Sequence, residues 1–461
     1  MVKISRREFM AGAAGAVLIG RNAMGAGADF WNVGGEVRKP KPIKPGAKLR
    51  IGFIGIGGRG NAVGMELKDQ EYVALCDVDD KRAAFTKEKF TPLAKLFPKA
   101  RYYKDYRKML VEMDDEIDAV VIATPDHSHF PAAMMAIQMG KHVYCEKPMA
   151  HTLWETRQLT LAARKHGVAT QMGNQRHANS GLRTVREWIE ADAIGPVREV
   201  HLWTNRPNQR HFSAITIEHL KARPKDTPPV PAGLDWNLWL GNAKERPYHP
   251  MYVPVQWRSW YEFGSGSLGD MGCHIFDAPF WALDLGWPTS VEAQTAPLND
   301  ETYPEWSIIT WQFPARGDKP PVKVVWYDGG KKPPRPKEMD PRSKFGDGGQ
   351  LYVGEKYKIL SGSYANGLRI VPNSVFGKFK KNRPAEKYPR SPGHYAEWVD
   401  ACKGGEAAGS NFDYAGPLTE VVLLGNLAVR AGKKIECDPK TGRVLNMPED
   451  HPFIKPRYRA F

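Results

Sequence analysis

The chain has 461 residues, 42% of them hydrophobic, 25% charged and 11% aromatic. This excludes collagen-like, disulfide-scaffold and wholly disordered classes and leaves room for two or three globular domains. The formal charge of +15 comes from 66 Lys+Arg against 51 Asp+Glu. The basic residues are scattered, and their densest clusters (Arg38–Lys48, Lys331–Lys337, Lys378–Arg383) are Pro- or Gly-flanked loops. No nucleic-acid module is legible, and no apolar run reaches the ~18 residues of a membrane span.

In chain order, residues 1–28 read as a targeting segment. Ser5-Arg6-Arg7-Glu8-Phe9-Met10 precedes a short, Gly-diluted apolar stretch, Ala11–Gly20, and then the small residues Ala26-Gly27-Ala28. This resembles a twin-arginine export signal, which carries folded proteins and implies a periplasmic destination. The five cysteines include no C-x-x-C and cannot all pair. All read as free thiols, as expected for folding in a reducing compartment. Residues 29–48 form a Pro- and Lys-rich arm of extended character. It is expected to pack on a partner subunit, the alternative being a linker.

From Leu49 to about residue 172, apolar strands alternate with amphipathic helices. LRIGFIG, EYVALCDV, DAVVIATP, HVYCEK and VATQMGN are near-continuous apolar strands, as in a parallel sheet covered on both faces. The spacing predicts an α/β, doubly wound sheet. Residues 173–393 change texture. After a helix at 181–192, alternating strands follow one another without intervening helices (VREVHLWTN, SVEAQTA, WSIITWQF, VKVVWYD, QLYVGEKYKILSG). This predicts an α+β domain with a mostly antiparallel open sheet, serving substrate and oligomerisation. Residues 394–461 return to helices, at 394–405 and 417–434, with a tail packing back on the core.

Directly after the first strand, Gly55-Ile56-Gly57-Gly58-Arg59-Gly60 matches G-x-G-x-x-G. Such a turn brings backbone N–H groups and a helix N-terminus to a pyrophosphate, the Rossmann arrangement. Asp77 ends the second strand, where a carboxylate accepts from ribose hydroxyls and disfavours a 2′-phosphate. The expected cofactor is therefore NAD; Arg59 and Arg82 keep NADP open. Thr124-Pro125 ends a later strand and faces the nicotinamide side, with His129 close behind. His127-x-His129 has no third ligand nearby, so no metal site is expected. Glu146-Lys147-Pro148 closes the next strand, and Asn174 the one after it. A lysine there can stabilise a developing alkoxide. In Gly269-Asp270-Met271-Gly272-Cys273-His274, a helix puts Asp270 and His274 on one face, the imidazole able to take a hydroxyl proton. Each of these residues alone also has a plain structural reading.

Together they carry a resemblance. A-T-P-x-x-x-H at 123–129, G-K-H-V-x-x-E-K-P at 140–148, G-N-Q-R at 173–176 and D-x-x-x-H at 270–274 resemble the glucose-fructose oxidoreductase / inositol dehydrogenase / MocA family, from about Leu49 to Lys434. The resemblance implies Lys147, Asp270 and His274 as the catalytic group. It also implies NAD or NADP on the first domain, a sugar or cyclitol on the open sheet, and a cis Pro148. The chain departs from it in the long segment 206–262, rich in Pro and Trp. Trp257, Trp260 and Tyr261 are candidate carbohydrate-stacking residues there, against plain core packing. Arg176 and His177 are further pocket candidates, with Arg206, Arg210 and His211 weaker ones.

An exported enzyme has no soluble NAD(H) pool to exchange with, so a tightly bound, recycled cofactor is expected. The leading reading is an oxidoreductase transferring hydride from a sugar or sugar derivative. The alternative is an NAD-dependent glycoside hydrolase working by transient oxidation, elimination, hydration and re-reduction. A sugar-binding or dinucleotide-sensing protein without activity is the third. A homodimer or homotetramer is expected.

Overall fold

In the computed structural model, residues 36–84, 91–207 and 222–461 are described. The proposed signal at 1–28, the start of the arm, Arg210 and His211 lie outside them. Six strands form the first sheet: β1 Arg50–Ile54, β2 Glu71–Cys76, β3 Arg101–Tyr103, β4 Ala119–Ile122, β5 His142–Cys145 and β6 Thr170–Met172. Their order is β3-β2-β1-β4-β5-β6, and every pairing is parallel. Every residue of β4 and β5 is buried, which is why these strands are apolar without alternation. β3, of three residues, is too short to carry a periodic signal and is absent from the sequence reading.

The register decides where the site forms. Ile54 pairs with Cys76 and Ile122, Ile122 with Cys145, and Cys145 with Met172. The residues that follow (Gly55, Asp77, Ala123, Glu146 and Gly173) therefore leave the sheet side by side at one edge. Helices α1 (Arg59–Glu66), α2 (Tyr106–Glu112), α3 (His129–Gln138) and α4 (Leu153–His166) connect the strands. α4 starts on a capping box between Thr152 and Glu155 and ends on Gly167 at φ 67°, a left-handed cap that glycine adopts without strain.

The second sheet has order β13-β12-β11-β7-β10-β9-β8-β14. Its strands are β7 Val197–Trp203, β8 Ser290–Thr295, β9 Ser307–Phe313, β10 Val322–Tyr327, β11 Gly349–Gly354, β12 Lys358–Gly362, β13 Arg369–Val371 and β14 Ile435–Glu436. It is antiparallel except where β7 runs parallel to β10. One face packs on α6 (Gly266–Ile275) and α9 (Phe412–Ala431) through Trp311, Phe276, Val421 and Leu424, all buried. α9 begins five residues before the predicted start, because Asn411 caps it by accepting from the Asp413 N–H at 2.9 Å. α5 (Ser180–Glu190) and α8 (His394–Cys402) agree with the sequence expectation. All five cysteines are buried free thiols.

The described part of the arm, 36–48, is anchored on its own chain. Arg38 pairs with Asp114 at 2.7 Å, Lys41 with Asp115 at 2.5 Å, and Lys39 Nζ donates to the Lys165 carbonyl at 2.9 Å. Arg38 and Lys41 thus meet acidic residues at the opposite edge of the first sheet from Gly55. Among the described residues no helix is long and apolar enough to cross a membrane.

Candidate active site

The glycine turn is tightly determined. Gly55 sits at φ 82°, and a Cβ there would lie 2.9 Å from the Ala123 carbonyl carbon. At Gly60 a Cβ would lie 1.8 Å from the Gly55 oxygen, so only glycine allows helix α1 to begin there. Gly57 adds a point the motif does not predict, since a Cβ there would lie 2.0 Å from the Arg82 oxygen. Arg82 thus backs the turn, and its guanidinium lies against Gly58. Asp77 accepts from the Ile56 N–H at 3.0 Å through Oδ2 and from the Asp79 N–H at 3.1 Å through Oδ1. Burial pushes its carboxyl up to about 6 against these hydrogen bonds.

Arg59, the first residue of α1, reaches across the edge. Its Nε donates to Glu146 Oε1 at 2.9 Å and its Nη2 to the Tyr395 hydroxyl at 3.2 Å. The same Glu146 oxygen accepts from Gln175 Nε2 at 2.7 Å, and Gln175 also donates to the Tyr144 hydroxyl at 2.8 Å. Glu146 therefore ties the glycine turn to the exits of β5 and β6. His129 performs a similar task. Its Nδ1 lies 2.8 Å from the Pro148 carbonyl oxygen and its Nε2 2.9 Å from that of Thr124. This corrects the expectation of a cofactor contact: both ring nitrogens are occupied in holding the Thr124-Pro125 segment against Lys147-Pro148. That last peptide bond is cis.

Lys147 and Asp270 meet as expected. Lys147 Nζ donates to Asp270 Oδ1 at 2.8 Å and to the Asp270 carbonyl at 2.6 Å. Two further cations share that carboxylate. Arg206 pairs with Oδ2, and Arg258 Nε lies 3.3 Å from Oδ1. Burial raises the Asp270 carboxyl, but Lys147, Arg206 and Arg258 outweigh it and hold the group well below the usual carboxylate range. α6 carries both Asp270 and His274, as the spacing predicts. Burial first, then the Lys147 charge, pushes the His274 imidazole well below its ordinary value, against the Asp270 charge, so it is neutral near pH 7. Its ring meets the edge of Tyr364 at 5.4 Å, and Arg176, an exposed side chain, lies over that tyrosine at 5.6 Å.

Several candidates are placed elsewhere. Asn174 is fully buried, its amide donating to Asp277 Oδ2 at 3.0 Å and its oxygen accepting from Ser410 at 2.6 Å. His177 is buried on Asp277 Oδ1 at 3.0 Å, and Tyr414 donates to the same oxygen at 2.5 Å. These two residues build the joint between β6, the start of helix α7 (Asp277–Ala282) and α9. Trp260 is fully buried, donating to the Met251 carbonyl at 2.9 Å. Tyr261 is buried between Arg430 and Tyr303. Both correct the stacking expectation, since their rings have protein on their faces. Trp257 is buried too and supports Arg258, whose guanidinium lies 4.2 Å from its ring centre. Gln175, Tyr395 and Arg258 escaped the sequence reading. Only Gln175 had a signal, inside G-N-Q-R.

The Trp-rich segment has its own position. Asp235 N–H donates to the Val78 carbonyl at 2.8 Å and Asp80 N–H to that of Gly233 at 3.1 Å, just past β2. Past β4, His127 Nε2 lies 3.0 Å from the Trp239 carbonyl oxygen, and the His127 N–H donates to that of Phe263 at 3.2 Å. Since β1 lies between β2 and β4, residues 233–263 bridge the two strand exits that flank the glycine turn. Trp236, Trp239, Tyr252 and Phe263 form their core. Arg459 pins the bridge from outside, donating to the Gly241 carbonyl at 2.7 Å, that of Ala243 at 3.1 Å and Asn237 Oδ1 at 2.7 Å.

These residues fit a nicotinamide dinucleotide. The turn cannot bear side chains, Asp77 sits where ribose hydroxyls are taken, and Thr124 Oγ1 and His274 Nδ1 are buried polar atoms without a protein partner. Among the described residues no cluster of His, Cys, Asp or Glu can hold a metal.

Comparison with known proteins agrees. Residues 49–174 match the model of an oxidoreductase family with an NAD-binding Rossmann fold, and residues 184–322 match that family's C-terminal alpha/beta domain. Inositol 2-dehydrogenase of Salmonella typhimurium (strain LT2) is 28% identical over 178 residues, 38% of this chain and 48% of that protein. Glycosyl hydrolase family 109 protein 4 of Phocaeicola vulgatus is 34% identical over 158 residues, 30% of each. The matches thus span about half or less of the curated relatives' length. The WlbA dehydrogenase of Bordetella pertussis, solved with NADH and UDP-GlcNAcA, shares the fold at TM-score 0.57 and 19% identity, covering 85% of this chain and 99% of that one. With both domain models matched in order and the motif residues gathered at one strand edge, the chain belongs to the Gfo/Idh/MocA family of NAD-binding oxidoreductases.

Proposed function

We propose that this protein oxidises a carbinol of a sugar or sugar derivative and keeps its nicotinamide cofactor through turnover. The observation that carries this reading is the meeting of Lys147, Asp270 and a neutral His274 beside the glycine turn. When bound, the cofactor supplies a hydride acceptor. His274 takes the hydroxyl proton at a ring nitrogen, which its depressed proton affinity leaves free to do so. Lys147 Nζ donates one hydrogen bond toward the developing alkoxide. Asp270 orients Lys147, and Glu146 and His129 fix the segments on either side. Retention is supported by residues 233–263, which bridge the β2 and β4 exits over the groove between them. It suits an exported enzyme, as the Arg6-Arg7 segment suggests.

The test is Lys147→Met. Hydride transfer should fall by about 10²- to 10⁴-fold, while the nucleotide released on denaturing the purified protein stays unchanged. Retained turnover would refute the assignment, as would wild-type protein with neither bound nucleotide nor affinity for one. The likeness to a family 109 glycosyl hydrolase supports a second reading, in which oxidation is transient. Aglycone release from a glycoside without net change in reduced nicotinamide would select it.

A further inference from the structure

Among the described residues, the charge around the reacting position is out of balance. Lys147, Arg206 and Arg258 all converge on one carboxylate, Asp270. Asp126 is the second acid acting on Lys147 and Arg258, and it is buried. Glu146 is already committed to Arg59 and Gln175. Arg176 adds a further cation on the Tyr364 side of His274. Half-buried cations in such excess are unfavourable unless a ligand supplies counter-charge.

The hydrogen-bonding character points the same way. The hydroxyls of a neutral polyol both donate and accept, so it uses acceptors as well as donors. Here the side chains next to His274 are mainly donors, and the carboxylate among them is occupied. Arg206 follows β7, with its carbonyl accepting from the Gly329 N–H at 2.7 Å past β10. Its guanidinium thus enters from the open sheet, opposite the glycine turn. A planar guanidinium matches a carboxylate by paired hydrogen bonds.

We propose that the substrate is a sugar acid, with Arg206 and Arg176 taking its carboxylate while the carbinol to be oxidised lies between Lys147 and His274. This rests on the oxidoreductase reading and names its substrate class.

The experiment compares hexuronates (glucuronate, galacturonate) with the neutral parents glucose and galactose on the purified holoenzyme. Thermal stabilisation reads binding, and absorbance of reduced nicotinamide reads turnover. The acids should bind at least about tenfold more tightly than their parents, the scale of a charge-assisted pair. Arg206→Met should remove that preference, and Arg206→Lys should restore part of it. Arg176→Met, at an exposed position, should reduce the preference as well and stands in where Arg206→Met does not fold. Equal response to acid and parent, including none to either, overturns the proposal. So does a preference unchanged in the variants. Binding is read without hydride transfer, so acid-selective binding with no cofactor reduction would count against the oxidoreductase reading and leave the anion site standing.

Discussion

Replacing Asp270 by Asn tests the electrostatic logic of the site, because the shape is kept and the charge is lost. The side chains of Asp270, Lys147, Arg206 and Arg258 are 6%, 12%, 17% and 24% exposed, so solvent screens these pairs little. A close pair of this kind is worth about 4 kcal/mol at an effective dielectric near 20, and desolvation of the carboxylate offsets part of the three. Removing one partner of a buried pair costs roughly 3–5 kcal/mol, since the other charge stays behind. Here three cations stay behind, which places Asp270→Asn at the upper end. For a chain of this size that lowers the melting temperature by about 5 °C. Arg206→Met should cost clearly less, because Asp270 keeps two cations and the crowding among three is relieved. Differential scanning calorimetry of both variants at one scan rate gives the comparison. If Asp270→Asn melts no lower than Arg206→Met, the three cations do not depend on this carboxylate and the charge argument fails.

Other outcomes follow from the same geometry. His274, labelled in the imidazole and followed by NMR, should stay neutral down through its ordinary pKa. In Lys147→Met it should protonate at higher pH, because a neighbouring cation that disfavours the charged ring is gone; a shift to lower pH would contradict this. Gly60→Ala should abolish nucleotide retention, as its Cβ would meet the Gly55 oxygen at 1.8 Å; equilibrium dialysis of the variant checks it. Arg459→Ala should speed nucleotide release roughly tenfold to a hundredfold, the worth of its charged hydrogen bonds to the 237–243 segment. Displacement of bound nucleotide measures it, and an unchanged release rate would show that the bridge does not limit escape.

The first domain was legible because its signals are local. Burial on both faces makes β4 and β5 uniformly apolar, and the glycine turn writes its steric demands directly into sequence. Lys147, Asp270 and His274 were legible because each belongs to a short motif. Asn174 belongs to such a motif too and His177 directly follows it, yet both serve the buried joint around Asp277, because a side chain's direction after a strand depends on what packs there. Trp260 and Tyr261 misled for a related reason. An aromatic ring suits a sugar face and a protein core equally, and only the surrounding Met251, Arg430 and Tyr303 decide. Arg258 gave no sign at all, as its partner Asp270 is brought near by tertiary folding.

The bridge from Val78 through Trp239 to Phe263 has a bearing on how the protein matures. If the cofactor is retained as proposed, it enters before that segment settles, and loading becomes a step of biogenesis. On that reading the supply of nucleotide during folding sets the number of working molecules.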